Sequence, residues 1–267
     1  MRLNAMPSSA ALRIQIEQAF ENRYPAVLTP SPRTIQETAQ TGLPELDEML
    51  KGGFPVGAIS ELIGTSSSGR TSIAMAFLAQ RTSDKSRCAW VDVSDAFDPA
   101  SAAANGVILK RLLWVRCYDS RADQREDKPL RAGNNKPWTR LDQAIRATDL
   151  LLQTGGFAAI VLDLADISIE HARRIPLATW FRFRQATDRT RCSLLVLGKA
   201  SCAQSSAAAL LECKPFLAED SNNTLLCGFR FSAQRGRERF APVISLARKP
   251  PASCWFTKAQ WDSERYA

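Results

Sequence analysis

A loop of the form G-x4-G-[KR]-[ST] runs through Gly64-Thr65-Ser66-Ser67-Ser68-Gly69-Arg70-Thr71. It follows an apolar strand predicted for residues 58–64 and opens a helix predicted for residues 70–80. In this position the loop wraps backbone N–H groups around a phosphate at the positive end of the helix. The glycines permit positive φ, and the Thr71 hydroxyl is suited to holding Mg²⁺. The other interpretation is a Ser/Gly-rich turn that only caps a helix.

Short apolar segments alternate with helical segments on both sides of this loop. Such alternation predicts an α/β fold with a mostly parallel twisted sheet, and continuous apolar runs predict strands that are covered on both faces. The predicted strands are residues 58–64, 88–93, 112–117, 158–163 and 193–198. The predicted helices are residues 70–80, 141–153 and 174–186. After Ala200, three segments (AALLECKPF, NTLLCGFRFSAQR and PVISLAR) predict antiparallel strands that extend the sheet.

The chain divides into three predicted parts. Residues 1–34 combine an amphipathic helix over 8–24 with a proline-containing linker, residues 35–250 form the core domain, and residues 251–267 form a tail. The helix either packs on its own domain or mediates contact with a neighbour, including a second copy of the chain. Within the core, residues 118–138 are polar and without periodicity, which predicts a long loop. Trp255 and Trp261 in the tail either anchor a partner or fold back on the sheet edge.

Composition narrows the classes of function. Seven scattered cysteines without a C-x-x-C pair favour buried thiols over disulfides or a zinc site. A single histidine, His171, excludes histidine-based triads and multi-histidine metal sites. No apolar run approaches the ~18 residues of a membrane span, and the N-terminal residues do not resemble a signal peptide. We therefore expect a cytoplasmic protein with no membrane contact.

The chain carries a net charge of +8, and the surplus is clustered. A basic surface favours a polyanion without base specificity, although a solvated face or an acidic protein partner explains the charge equally well. The arginines predicted to bind single-stranded DNA are Arg230, Arg235, Arg237, Arg239 and Arg248. Phe229, Phe231 and Phe240 can offer stacking, but period-2 spacing favours a place in the core. A second cluster comprises Arg173, Arg174, Arg182, Arg184, Arg189 and Arg191.

The segments that flank the loop carry a family resemblance. A T-G-x-x-x-L-D helix starts at Thr41, and a G-G-x-P-x-G turn starts at Gly52, immediately before the first core strand. Cys88-Ala89-Trp90-Val91-Asp92, Ala96-Phe97-Asp98-Pro99 and the strand ending in Asp163 follow in order. Over residues 41–250 this pattern resembles the RecA superfamily. Within this superfamily the chain resembles the ImuA-like proteins, which are accessory factors encoded with error-prone DNA polymerases. It shares with them a short length, a lead helix and the lack of a recombinase-type C-terminal domain.

The resemblance implies ATP and Mg²⁺ as weakly bound cofactors, with no cofactor required if the phosphate site is degenerate. Asp163 occupies the Walker B position and, with Thr71, would hold Mg²⁺; the alternative is a carboxylate kept by the fold. The nucleotide-contacting residues so predicted are Gly64, Thr65, Ser66, Ser67, Ser68, Gly69, Arg70, Thr71 and Ser72.

Three departures from the family pattern argue against efficient ATP hydrolysis. Arg70 replaces the loop lysine, and a broad planar guanidinium does not substitute for a compact ammonium in a tight loop. Ser94 stands where recombinases carry the glutamate that positions water, which leaves Asp95 as a weak candidate base. Ala200 replaces an amide side chain that senses the γ-phosphate.

These observations predict a RecA-like accessory protein of DNA damage tolerance, in translesion synthesis and the SOS response. Its expected partners are translesion polymerase components or RecA, and single-stranded DNA. The alternatives are an active ATPase stimulated by single-stranded DNA and, more weakly, a SulA-like inhibitor of cell division.

Overall fold

The computed structural model describes residues 37–118, 139–221, 225–238 and 252–258. Several predictions lie outside these residues: the lead helix and its linker, the loop after Tyr118, the strand PVISLAR and Trp261. The described residues belong to one compact unit that starts at Glu37.

Eight of the described strands form one sheet. In chain order, the strands of the structure are β1 (Thr38–Ala39), β2 (Phe54–Pro55), β3 (Ile59–Gly64), β4 (Cys88–Asp92), β5 (Leu112–Arg116), β6 (Ala159–Asp163), β7 (Ser193–Gly198), β8 (Ala207–Ser221), β9 (Leu225–Glu238) and β10 (Ala252–Lys258). The large sheet has the order β10-β9-β8-β3-β7-β6-β4-β5, while β1 and β2 pair separately. The predicted mostly parallel sheet with antiparallel C-terminal strands is confirmed.

The central strands are parallel and buried on both faces, as their apolar runs predict. Every residue of β4, β6 and β7 is buried, because helices cover both sides of the sheet. Their registers align the carboxyl ends, with Asp92 opposite Asp163 and Asp163 opposite Leu197. Gly64, which ends β3, lies at this same edge. Loops that follow these strands therefore meet on one side of the molecule.

The C-terminal strands add two details to the predicted sheet. The first new strand, β8, pairs parallel with β3, and the antiparallel pairing begins only with β9. Within the predicted tail, Ala252–Lys258 pairs along β9 as the outermost strand of the sheet. Trp255 is buried and stacks on Phe231 with ring centroids 5.8 Å apart. Both aromatic side chains thus belong to the core, as the period-2 spacing predicts for Phe231, and Trp255 folds back on the sheet.

The helices cover the two faces of this sheet. In chain order they are α1 (Pro44–Met49), α2 (Arg70–Ser83), α3 (Pro99–Ala104), α4 (Arg140–Thr154), α5 (Ile169–Arg173) and α6 (Leu177–Thr190). The helix predicted for residues 174–186 instead starts at Leu177, because Pro176 takes the extended N-cap conformation that separates α5 from α6. Among the described residues, no helix is long and apolar enough to cross a membrane.

The glycine before α2 is fitted closely against the aromatic core. Gly69 has φ 84°, and a Cβ atom placed on it would lie 2.6 Å from Cδ1 of Phe231. Phe231 cannot retreat easily, because it is buried against Trp255. This contact fixes the start of α2 relative to β9.

We expect Gly69→Ala to lower the free energy of unfolding by about 2–4 kcal/mol, through the strained φ and the clash with Phe231. Gly156→Ala is the matched control, since Gly156 has φ 81° but nothing within 4 Å of an added Cβ. The control should lose only about 1 kcal/mol. Urea unfolding of both variants measures the difference, and equal losses would contradict the role of Phe231.

Candidate phosphate site

The loop between β3 and α2 presents its backbone to solvent. Thr65, Ser66 and Ser67 are exposed, and Ser67 and Gly69 both take left-handed backbone conformations. Gly69 caps α2 without any side-chain hydrogen bond. The first N–H groups of this helix therefore have no side-chain cap, which is the arrangement that binds phosphate at a helix N-terminus.

A cavity of about 490 Å³ opens over this helix end, with residues 67–72, Phe231 and Trp255 among its lining. Thr71 and Ser72 are exposed in the first turn of α2 and bring two hydroxyl groups to it. Ser68 also lines the cavity, and its buried Oγ has no hydrogen-bond partner among the described residues. An orphaned hydroxyl beside free helix N–H groups fits an anionic ligand with several acceptor oxygens.

The Arg70 side chain reaches from the start of α2 to the end of β7. Its side chain is buried, and Nη1 donates a hydrogen bond of 2.5 Å to the backbone oxygen of Gly198 at the end of β7. Burial lowers the pKa of Arg70, and the Asp163 carboxylate opposes that change. The guanidinium that sequence comparison aligns with the phosphate-binding lysine is thus committed to an internal carbonyl.

Glu61 holds the chain that follows β7. This buried residue of β3 accepts hydrogen bonds from Ser201 Oγ at 2.7 Å, Cys202 N at 2.7 Å and Ala203 N at 2.9 Å. Sequence reasoning missed Glu61, although an acidic residue inside an apolar strand is a signal of a buried polar contact. Together, Arg70 and Glu61 tie both ends of residues 198–203 to the loop and to its preceding strand.

Asp163 lies beside Arg70 at the same edge of the sheet. Its Oδ1 accepts a hydrogen bond from Ala165 N at 3.0 Å. Burial raises the pKa of Asp163 to about 6, and Arg70 counteracts part of that rise. The described residues hold no group of three or more His, Cys, Asp or Glu side chains placed to bind a metal. The cavity at the helix end therefore fits a phosphate, while a metal ion held by the Thr71 hydroxyl and the Asp163 carboxylate stays a prediction.

Comparisons with known proteins agree with this fold. Residues 8–126 match the family described as RecA N-terminal domain. Protein RecA of Rickettsia canadensis (strain McKiel) is 30% identical over 155 residues, which make up 58% of this chain and 39% of that protein. The crystal structure of the RadB recombinase superposes with a TM-score of 0.54 at 16% identity, covering 81% of this chain and 94% of that one. The fold is RecA-like.

Other curated relatives match a shorter part of the RecA-like core. Protein RecA of Nostoc sp. (strain PCC 7120 / SAG 25.82 / UTEX 2576) is 37% identical over 99 residues, which are 37% of this chain and 28% of that protein. The chain thus spans 39% or less of the length of these two curated relatives.

Asp95 does not fit the role of a catalytic base in this RecA-like site. Its two carboxylate oxygens accept hydrogen bonds from Nε of Arg116 at 2.7 Å and from Nη2 at 2.5 Å. The hydrogen bond from Arg116 lowers the pKa of Asp95, which weakens it as a proton acceptor. Ser94 beside it is half-buried. The ion pair with Arg116 therefore makes Asp95 a poor candidate for the base.

Asp92 at the end of β4 serves the fold. Its carboxylate accepts hydrogen bonds from the backbone N–H groups of Ala96 and Phe97 and from Nε1 of Trp114. These bonds shape the turn that carries Ser94 and Asp95.

The arginines predicted to bind DNA do not form one exposed set. Arg230 is exposed, but Arg235 is buried and donates a hydrogen bond of 3.1 Å to the backbone oxygen of Met49. Arg235 was wrongly included, because strand alternation turns it inward over α1. Arg239, Arg248 and the side chain of Arg237 lie outside the described residues.

The raised pKa of Asp163 predicts a stability that depends on pH. The folded chain holds the proton of this carboxyl more tightly than the unfolded chain, whose pKa stays near 3.8. Its contribution to stability is therefore fully present below about pH 4 and is lost as the pH rises through about 6. We expect Asp163→Asn and the parent chain to have equal free energies of unfolding at about pH 4. At neutral pH, the variant should have the higher free energy of unfolding.

The measurement is chemical denaturation across this pH range, with EDTA present so that no metal ion contributes. Asp188→Asn provides the control, since it removes an exposed carboxylate that is not among the charges acting on Asp163. A constant difference between Asp163→Asn and the parent chain at every pH would contradict the burial effect.

Proposed function

We propose that this chain is a RecA-like accessory protein of DNA damage tolerance that acts through protein and DNA contacts and does not hydrolyse ATP efficiently. The ImuA-like proteins of translesion synthesis are the class it would join, with translesion polymerase components or RecA, and single-stranded DNA, as partners. The hydrogen bond between Arg70 and Gly198 is the observation that carries the proposal.

The position of the Arg70 charge bears on how a nucleotide phosphate would bind. A loop lysine places a positive charge against the β- and γ-phosphates of a nucleotide. Arg70 directs its charge to a backbone carbonyl behind the loop, so a bound phosphate would meet helix N–H groups and hydroxyls without that cation. Weak nucleotide binding with little transition-state stabilisation is the expected result.

The segment after β7 is the part of the chain that would respond to nucleotide. Residues 198–203 are already held by Arg70 at one end and by Glu61 at the other. At the position where recombinases carry an amide side chain, Ala200 offers a phosphate only a methyl group. We infer that the segment keeps one arrangement whether or not nucleotide is present.

The similarity to proteins named RecA and RadB recombinase favours a role on DNA. The exposed Arg230 and the net charge of +8 support contact with a polyanion. Asp95 is committed to Arg116, which leaves the ATPase alternative without its only candidate base.

We expect Arg70→Lys to bind MgATP at least about tenfold more tightly than the parent chain, because lysine is able to reach the phosphates. Arg70→Ala is the control: it also frees the Gly198 carbonyl but adds no charge, so it should not gain affinity. Titration calorimetry with and without Mg²⁺ measures the three affinities, and thermal unfolding checks that each variant folds. A loss of nucleotide affinity in Arg70→Ala would instead favour a nucleotide-binding role for the arginine.

Hydrolysis is tested directly by phosphate release from ATP, with single-stranded DNA present and absent. We expect no stimulation by DNA and a rate far below that of a recombinase measured alongside. DNA binding, followed by fluorescence anisotropy, should persist without nucleotide. DNA-stimulated turnover at a recombinase-like rate would overturn the proposal in favour of the active ATPase.

A further inference from the structure

A second cavity lies on the opposite helical layer and shares no residue with the phosphate loop. It has a volume of about 600 Å³ and is bounded by α4 on one side and by the junction of α5 and α6 on the other. Its apolar lining consists of Leu141, Ile145, Ile175 and Pro176. Because Leu141 and Ile145 are only half-buried, this groove (residues 141, 142, 145, 146, 149, 174–176 and 182) presents an unfilled apolar floor.

The acidic residues around the groove are already paired within the chain, whereas its arginines are exposed. Asp149 is engaged by Arg182, with Nε 3.0 Å from Oδ1. Asp142 is engaged in the capping box of α4, where Thr139 donates to it. Both acidic residues of the lining are therefore occupied within the chain.

Arg174 is exposed at the same rim and forms no ion pair within the part of the chain that the structure describes. Arg182 uses Nε for Asp149, and about half of its side chain stays exposed. The groove thus offers guanidinium groups to a carboxylate of another molecule.

The start of α6 adds to this preference. Pro176 caps the helix without a side-chain hydrogen bond, and the first turn contains no acidic residue. The positive end of a 14-residue helix therefore opens at the groove. Leu177 and Phe181 lie one helical turn apart beside it, 57% and 52% exposed, and extend the apolar surface.

We propose that this groove docks an acidic amphipathic segment of a partner protein. Apolar side chains of the segment would fill the floor over Ile145 and Ile175, and its carboxylates would pair with Arg174 and Arg182. The apolar floor disfavours nucleic acid, because a bound phosphate backbone would leave it unfilled. The inference is independent of the phosphate loop, so it stands or falls separately from the function proposed above.

The test uses the full chain and a panel of short fluorescein-labelled peptides, with two leucine or phenylalanine residues at varied spacing among aspartate and glutamate. A matched panel carries lysine in place of the acidic residues. We expect saturable binding, measured by fluorescence anisotropy, for members of the acidic panel alone. Binding of the lysine panel at equal strength, or no acidic peptide binding at all, would overturn the proposal.

Variants locate the site. Arg174→Glu and Ile145→Asn should each weaken the selected acidic peptide at least about tenfold, one through charge and the other through the floor. Arg189→Glu is the matched control, because it makes the same charge change at an exposed position of α6 outside the groove. Equal weakening by Arg189→Glu would indicate non-specific attraction and refute the site.

Binding of oligothymidylate, a single-stranded DNA, tests whether the groove binds nucleic acid instead. Arg174→Glu should leave its affinity within about twofold of the parent chain, because the groove is not the DNA surface. Displacement of the peptide by oligothymidylate, with a matching loss in Arg174→Glu, would assign the groove to nucleic acid and overturn the proposal. Far-UV circular dichroism and thermal unfolding confirm that every compared variant is folded.

Discussion

The buried guanidinium of Arg70 is the constraint around which this end of the molecule is organised. A cation removed from water needs compensation, and the Gly198 carbonyl and the nearby Asp163 carboxylate provide it. The same contact joins the first residue of α2 to the last residue of β7, which is the strand next to β3 in the sheet. The phosphate loop is therefore held from behind, while its helix N–H groups and the Thr71 and Ser72 hydroxyls face outward.

Glu61 extends this constraint along the chain. It lies on the strand that leads into the loop and accepts hydrogen bonds from residues 201–203. Two buried charged side chains thus determine the path after β7, where the resemblance to recombinases places a segment that senses nucleotide. Under the proposed function, the chain keeps the fold of a nucleotide-dependent ATPase. The internal hydrogen bonds of Arg70 and Glu61 then replace the contacts that a nucleotide would make. The binding surfaces then lie elsewhere, among them the groove between α4 and α6.

Local signals predicted much of this architecture. The apolar runs of β4, β6 and β7 were sufficient because a strand buried on both faces needs apolar residues at every position. The direction of β8 was not predictable in the same way, since parallel and antiparallel partners impose similar side-chain patterns. The edge strand β10 was missed because prolines precede it and its register depends on β9.

The sequence by itself determined the loop at Gly64–Thr71, the central strands that frame it and the departures at Arg70, Ser94 and Ala200, because each is a feature of adjacent residues. Only the tertiary structure decided what Arg70 contacts, since Gly198 is 128 positions away. The same holds for the burial of Arg235 over Met49, the stacking of Phe231 on Trp255 and the groove beside Arg174. Each depends on elements distant in the chain, whose packing selects which polar side chains are buried and which remain available for binding.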